Sequence, residues 1–131
     1  TFKRTLTETD LVNFISVTGM LEELFIDATH EGGAVAGRLV PAAPTYSLIE
    51  GMLLQTMIQG TGLALLEASM KARAPVRVGD TIFANVAVTG IRPTSKHNRA
   101  VVTSEVEILN QNAETVMVYS VVRMLAGRPQ D

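Results

Sequence analysis

The sequence has no cysteine among its 131 residues, which excludes disulfide bonds, thiolate catalysis and metal sites built on cysteine. Its two histidines, His30 and His97, lie far apart in the sequence, so we do not expect a zinc site. Neither positive nor negative charge predominates, because 11 basic and 13 acidic residues give a net charge of -2. No basic patch stands out in the sequence. Nucleic acid is therefore not expected as a partner.

Long hydrophobic runs are missing as well. The longest apolar stretch, around residues 48–58, is interrupted by Glu50 and Gln55 and is too short to span a bilayer. The sequence does not begin with the charged and then apolar segment that is typical of a signal peptide, so we expect a cytoplasmic protein. What remains is a chain with 47% hydrophobic residues, of a length that predicts one domain over residues 1–131. At this size, oligomerisation commonly adds stability.

Two helices are predicted in the first half. Candidate N-cap residues at 5–10 precede apolar residues at helical spacing, which predicts a helix at about 8–18 that ends at Gly19. Residues 28–43 are rich in glycine and are interpreted as a loop or a lid. A second helix, starting near Pro44, is apolar almost all the way round, as expected of a helix enclosed by other structure. The glycines at 60–62 are expected to end it.

The pattern then changes to the alternation of strands. Strands are predicted at about 66–72, 81–88, 99–109 and 114–126, with a hairpin turn at 110–112 and a longer basic loop at 92–98. An apolar helix followed by antiparallel strands predicts an α+β fold in which the sheet curls around the helix.

Residues 14–27 resemble the catalytic segment of the MaoC-like acyl-thioester hydratases and dehydratases. The family motif reads Phe-x-x-x-(Ser/Thr)-Gly-Asp-x-Asn-Pro-x-His-x-Asp, and this sequence keeps Phe14, Thr18, Gly19 and Asp27. It has Met20 at the catalytic aspartate and Phe25 at the catalytic histidine. A thioether and a phenyl ring cannot transfer protons, so we expect hydration by the family's acid/base route to be absent or to use other groups.

Four further blocks carry the resemblance over nearly the whole chain: residues 37–42, 75–81, 92–96 and 109–114. The resemblance implies the hot-dog fold, an antiparallel sheet wrapped around a central apolar helix. It also implies an acyl-CoA or acyl-carrier-protein thioester as ligand, no metal or other cofactor, and a homodimer or higher oligomer whose sheets join edge to edge.

The start of the central helix is altered too, since the family's His-Gly is replaced by Pro41 and Ala42. In the family, this helix start presents backbone N–H groups to the thioester oxygen. Pro41 removes one donor, whereas Ala42 keeps its own. The residues predicted to bind the substrate are Gly19, Met20, Phe25, Pro41, Ala42, Arg92, Lys96 and Arg99.

Each of these candidates has a plainer alternative. Met20 and Phe25 either line an acyl pocket or close it as core. Arg92, Lys96 and Arg99, with His97, either hold the phosphates of coenzyme A or belong to a solvated hairpin loop.

Three residues are candidates for catalysis: Glu50, Asp27 and His30. Glu50 follows Pro41 by nine residues, as the catalytic acid follows the helix-start histidine in related hot-dog thioesterases. It could act as base or nucleophile in thioester hydrolysis, or form a capping box with Ser47. Asp27 and His30 could replace the missing catalytic pair, or be an ordinary turn acid and a solvent-facing histidine.

Three functions fit this sequence. One is a divergent hydratase or dehydratase that acts on an acyl-CoA. Another is a non-catalytic subunit that pairs with an intact homologue and shapes its substrate tunnel. The third is an acyl-CoA thioesterase that uses Glu50.

Overall fold

A computed structural model describes residues 1–33 and 37–130 of the chain. Its elements are, in order, β1 (Arg4–Thr5), α1 (Glu8–Thr18), α2 (Glu23–Ile26), β2 (Leu39–Val40), α3 (Ala42–Gln55), β3 (Gly62–Ala72), β4 (Val76–Arg77), β5 (Thr81–Pro93), β6 (Arg99–Leu109) and β7 (Thr115–Ala126). Residues 34–36 of the predicted lid loop lie outside the described residues.

The first helix, α1, begins and ends where the sequence predicts. The Thr7 side chain accepts a hydrogen bond from the backbone N–H of Asp10, and the Asp10 carboxylate accepts one from the Thr7 N–H, which forms a capping box. Gly19 ends the helix in the left-handed conformation, with a φ of 71° that glycine adopts without strain.

The central helix α3 ends earlier than predicted. It stops at Gln55 rather than at the glycines 60–62, and the Thr56 hydroxyl donates a hydrogen bond of 2.7 Å to the Met52 carbonyl. The apolar segment at 48–58 was expected to be enclosed on all sides, and this is wrong for one side. Leu54 and Met57 are 49% and 55% exposed in the single chain.

The strands form a five-stranded antiparallel sheet in the order β1-β5-β6-β7-β3, and β2 and β4 form a separate pair. The hairpin between β6 and β7 turns at residues 110–114, as predicted, and Asn110 Oδ1 accepts the N–H groups of Asn112 and Glu114. The short elements β1, α2, β2 and β4 are absent from the prediction, because two to four residues carry too little periodicity to detect.

The core lies between one side of α3 and the inner face of the sheet. It includes Ile49, Met52 and Leu53 from the helix, packed in one apolar cluster with Ile82, Ile108, Tyr119 and Val121 from the strands. The longest described helix has 14 residues, and within residues 1–33 and 37–130 none has the length and apolar character of a membrane span.

Candidate functional site

An open cavity of about 440 Å³, here called the helix-start cavity, lies at the beginning of α3. The structure brings together in its lining three residues that the sequence predicts for substrate binding, namely Phe25, Pro41 and Ala42. The position that holds the catalytic histidine in the resembling family therefore faces the same space as the start of the central helix.

Apart from Thr45 and Arg73, the lining of the helix-start cavity is apolar. Arg73 is its one ionisable residue among the part of the chain that the structure describes. Thr45 is 1% exposed, and its hydroxyl has no hydrogen-bond partner within the described residues. No side chain within residues 1–33 and 37–130 caps the first turn of α3, so its backbone N–H groups at Ala42 and Ala43 remain available as donors.

The residues that replace the catalytic pair are not buried core residues. Met20 is 37% exposed and lies outside the lining of the helix-start cavity, directly after the Gly19 cap of α1. Phe25 is half-buried in α2 and contributes to the lining. Only one of the two substituted positions thus contacts the cavity.

A second cavity, the Glu50 cavity, has a volume of about 470 Å³ and lies between the C-terminal half of α3 and the start of β3. Arg123 of β7 donates from Nη2 to both carboxylate oxygens of Glu50, at 2.7 and 2.5 Å. Both side chains are nearly buried, with 12% of Glu50 and 13% of Arg123 exposed. The capping-box alternative for Ser47 and Glu50 is wrong, because α3 begins at Ala42 and its N-cap is Pro41.

Two tyrosines surround this ion pair. The rings of Tyr46 and Tyr119 meet edge to face, with centroids 5.0 Å apart. Burial raises the pKa of Tyr46, and the negative charge of Glu50 raises it further. Burial also raises the pKa of Tyr119, whose hydroxyl has no hydrogen-bond partner in the described residues. Both phenols stay protonated at neutral pH, so each acts as a neutral hydrogen-bond donor or acceptor and not as a phenolate base.

Asp27 and His30 lie together near α2 but outside the lining of either cavity. Asp27 Oδ1 accepts hydrogen bonds from the Thr29 hydroxyl at 2.7 Å and the Thr29 N–H at 2.8 Å, and these bonds lower the pKa of Asp27. His30 Nδ1 lies 3.4 Å from Glu23 Oε2. This is the geometry of a local turn acid and a peripheral histidine.

The basic residues predicted for phosphate binding lie elsewhere. Arg92 and Arg99 flank the loop between β5 and β6, Lys96 and His97 lie within it, and all four side chains are exposed. The loop is at the end of the sheet where Gly62 pairs with Leu125, whereas Met117 lines the helix-start cavity. Met117 and Leu125 are separated by about 26 Å along β7, so one chain does not place these residues beside its own helix-start cavity.

The sequence interpretation missed Arg123, Thr45 and Tyr46. Arg123 did carry a signal, because it is the one charge in the apolar segment 121–126, just as Glu50 is the one charge in α3. A lone base in an apolar strand and a lone acid in an apolar helix are expected to pair when both elements enter the core.

Comparisons with known proteins place this geometry in context. No family model matches the chain. The (R)-specific enoyl-CoA hydratase of Rhodospirillum rubrum is 38% identical over 68 residues, which cover 50% of this chain and 47% of the relative. The 3-hydroxybutyryl-CoA dehydratase of Methylorubrum extorquens is 30% identical over 109 residues, which cover 79% and 66%. The chain thus spans about half to just under two thirds of the length of these relatives.

A solved MaoC-like dehydratase from Rhodospirillum rubrum matches with a TM-score of 0.86 over 98% of this chain and 90% of that chain, at 19% identity. A Mycobacterium tuberculosis protein with a double hot-dog fold matches with a TM-score of 0.78 over 99% of this chain and 41% of that chain, at 18% identity. These likenesses show that the chain has the hot-dog fold. The sequence relatives and the fold together confirm the resemblance to the MaoC-like hydratases and dehydratases that residues 14–27 predict.

Proposed function

We propose that this chain binds an acyl thioester of coenzyme A or acyl-carrier protein and does not hydrate it by the family's Asp/His route. The observation that carries the proposal is the lining of the helix-start cavity, which leaves an apolar space beside the start of α3. Among the described residues, Arg73 is the one ionisable residue in this lining. In the part of the chain that the structure describes, neither a carboxylate nor an imidazole lines this cavity. A guanidinium does not act as a base, so the cavity supports binding rather than proton transfer.

The helix-start cavity offers polar groups for the thioester carbonyl. The Thr45 hydroxyl and the N–H groups of Ala42 and Ala43 are donors without a described partner at the positive end of a helix. A carbonyl oxygen that accepts from these groups would leave the acyl chain against the apolar lining. The N–H donors come from the backbone, so the change from His-Gly to Pro41-Ala42 leaves most of this arrangement in place.

A second candidate function is that of a non-catalytic subunit beside an intact MaoC-like homologue. It is favoured by the combination of a substrate-sized cavity without acid/base residues and the exposed strand β3, all 11 residues of which are exposed in the single chain.

The thioesterase alternative depends on Glu50, which does line a cavity. Both of its carboxylate oxygens are hydrogen-bonded to Arg123, however, and a carboxylate held in this way is less free to attack a thioester or to accept a proton. We therefore rank it third.

The proposal is tested with crotonyl-CoA in two assays on the same protein, a thermal shift for binding and loss of the enoyl absorbance for hydration. We expect a ligand-dependent rise in melting temperature and hydration slower than that of an intact family member by at least about 10²- to 10⁴-fold. Ala42→Leu should abolish the thermal shift, because the larger side chain enters the helix-start cavity. The same substitution at the exposed Ala87 on β5 is the matched control.

Hydration at the rate of an intact enzyme would overturn the proposal and direct attention to Asp27, His30 and Glu50. Absence of a thermal shift with crotonyl-CoA and longer acyl-CoA esters would overturn the binding assignment. Met20→Asp and Phe25→His are informative only together, because either change alone leaves the proton relay incomplete.

A further inference from the structure

Arg38 lies between two walls of the helix-start cavity. Leu24 and Phe25 of α2 belong to one wall, and residues 39–42, which follow Arg38 directly, belong to the other. Arg38 Nε donates to the Phe25 carbonyl at 2.8 Å, and Arg38 Nη1 lies 2.7 Å from Glu8 Oε1. One side chain thus joins both walls of the cavity to the first turn of α1.

The helix α2 has few other fixed contacts. It has four residues, and none of them is buried. Its backbone bonds are local, from the Phe25 N–H to the Glu22 carbonyl and from the Asp27 N–H to the Glu23 carbonyl. In the described part of the chain, the bond from Arg38 is the one hydrogen bond or ion pair that joins α2 to an element beyond residue 30. A single helical turn is unstable in water, so we expect the position of α2 to depend on this bond.

Arg38 suits this place because its backbone is fixed and its side chain is planar. Its carbonyl accepts from the Val78 N–H at 3.3 Å, and the next residue, Leu39, pairs with Arg77 of β4. The Arg38 side chain is only 22% exposed. A guanidinium presents donors in several fixed directions, so it can bond a carbonyl and a carboxylate at once. The Phe25 carbonyl lies in the last turn of α2, where carbonyls have no partner inside the helix, and it takes one of these donors.

Phe25 is the residue through which this bond reaches a ligand. It is half-buried, lines the helix-start cavity, and occupies the position of the catalytic histidine in the MaoC-like motif. A phenyl ring at this position offers an acyl group apolar contact but no proton. If α2 moves, the ring leaves the lining and this contact is lost.

We propose that Arg38 is a positioning residue of the helix-start cavity, which holds the Phe25 ring against the acyl group of a bound thioester. The effect on affinity rests on the proposed function, whereas the effect on the position of the ring does not. Arg38 is not among the described residues that line the cavity, so it acts through Phe25 rather than by touching the ligand. A purely structural arginine would change the stability of the fold but not the affinity of the folded protein, and its effect would not depend on residue 25.

The position of the ring is tested first without ligand, by fluorine NMR of protein labelled with para-fluorophenylalanine. The chain has four phenylalanines, and the Phe25 signal is identified by its loss in Phe25→Leu. Phe2 and Phe83 lie outside the lining of the helix-start cavity, so their signals serve as internal references. A change at Arg38 that releases α2 should shift or broaden the Phe25 signal and leave the reference signals in place.

Two variants separate the two bonds of Arg38. Arg38→Gln places its amide nitrogen where Nε lies, so it keeps a donor for the Phe25 carbonyl and loses the ion pair with Glu8. Arg38→Lys keeps a cation for Glu8 but has a methylene group at the position of Nε. The Phe25 signal should shift or broaden in Arg38→Lys and stay near its parent position in Arg38→Gln. The reverse pattern, or an unchanged signal in Arg38→Lys, would overturn the proposal.

Affinity is measured by calorimetric titration of crotonyl-CoA into the same variants, once circular dichroism shows that each is folded. Arg38→Lys should raise the dissociation constant about tenfold, and Arg38→Gln should raise it less than about threefold. Phe25→Ala should also raise it, and in that background Arg38→Lys should have no further effect. Effects that multiply would overturn the action through the ring. Arg4→Met is the matched control, because it removes another arginine ion pair of α1 outside the cavity lining and should leave the affinity unchanged.

A second ligand excludes a direct contact between Arg38 and the nucleotide. Arg38→Lys should weaken the binding of a crotonyl-pantetheine thioester, which lacks the nucleotide, by the same factor as that of crotonyl-CoA. A loss confined to crotonyl-CoA would assign Arg38 to the nucleotide and overturn its action through Phe25. If the parent protein binds neither ester, the proposed function and the effect on affinity fail together, and the fluorine signals still decide whether Arg38 holds the ring.

Discussion

The Glu50–Arg123 pair allows a quantitative prediction about stability. With 12% and 13% of the side chains exposed, either residue left alone would be a nearly buried charge. Removing one member of a buried pair typically costs about 3–5 kcal/mol. We expect Arg123→Met to fall in this range, and Glu50→Gln to lie toward its lower end because the amide oxygen still accepts one hydrogen bond. If Glu50 were only a capping-box residue, Glu50→Gln would cost at most about 1 kcal/mol, because glutamine also serves at that position.

The double variant Glu50→Leu, Arg123→Met separates this pairing from general disruption. Replacing both charges by apolar side chains of similar size is often close to neutral, so we expect a free energy of unfolding within about 2 kcal/mol of the parent. Urea unfolding, followed by circular dichroism at one fixed protein concentration, measures Glu50→Gln, the double variant and its two single changes, Glu50→Leu and Arg123→Met. Single-variant losses under about 1 kcal/mol, or losses that add in the double variant, would refute a coupled buried pair.

Three further predictions concern the surface of the molecule. Thr7→Ala should cost about 1 kcal/mol in urea unfolding, because it removes the acceptor for the Asp10 N–H. The hydrogen bond from the Thr7 backbone lowers the pKa of Asp10, so its stabilising effect is present above the unfolded pKa of about 4 and lost as pH falls through the lower folded value. Asp10→Asn should flatten that acid-side loss, and an unchanged pH profile would contradict the assignment. If a second copy brings the basic loop to the ligand, Arg92→Ala and Lys96→Ala should each reduce the thermal shift with crotonyl-CoA but not the shift with a pantetheine thioester that lacks the nucleotide. Equal reduction with both ligands would exclude phosphate binding by the loop.

Local signals made much of the fold predictable from sequence. The bounds of α1, β6 and β7 were anticipated within one residue, because each has either a strong cap or a long alternation between clear turn residues. The predicted end of α3 was wrong, because the helix ends at Gln55, where the Thr56 hydroxyl donates to the Met52 carbonyl, and not at a glycine.

The site was less accessible to sequence reasoning, for a physical reason. Glu50 and Arg123 are 73 residues apart, and a bond over such a separation leaves no periodic trace in either segment. Phe25, Pro41 and Ala42 were named from a family motif, and the structure does bring them to one cavity. The same motif says nothing about whether Met20 faces that cavity, because the direction of a side chain beyond a helix cap depends on tertiary packing.

The exposure of β3 along its whole length has a dynamic consequence. In the single chain, this strand is hydrogen-bonded to β7 on one side and contributes no buried side chain, so its amide hydrogens should exchange early, through local opening far below the free energy of global unfolding. A strand added on the free side of β3 would cover the same amides and slow their exchange. Exchange protection at β3 therefore reports on what covers this edge rather than on the stability of the core, and a change that leaves the core intact can still free the strand.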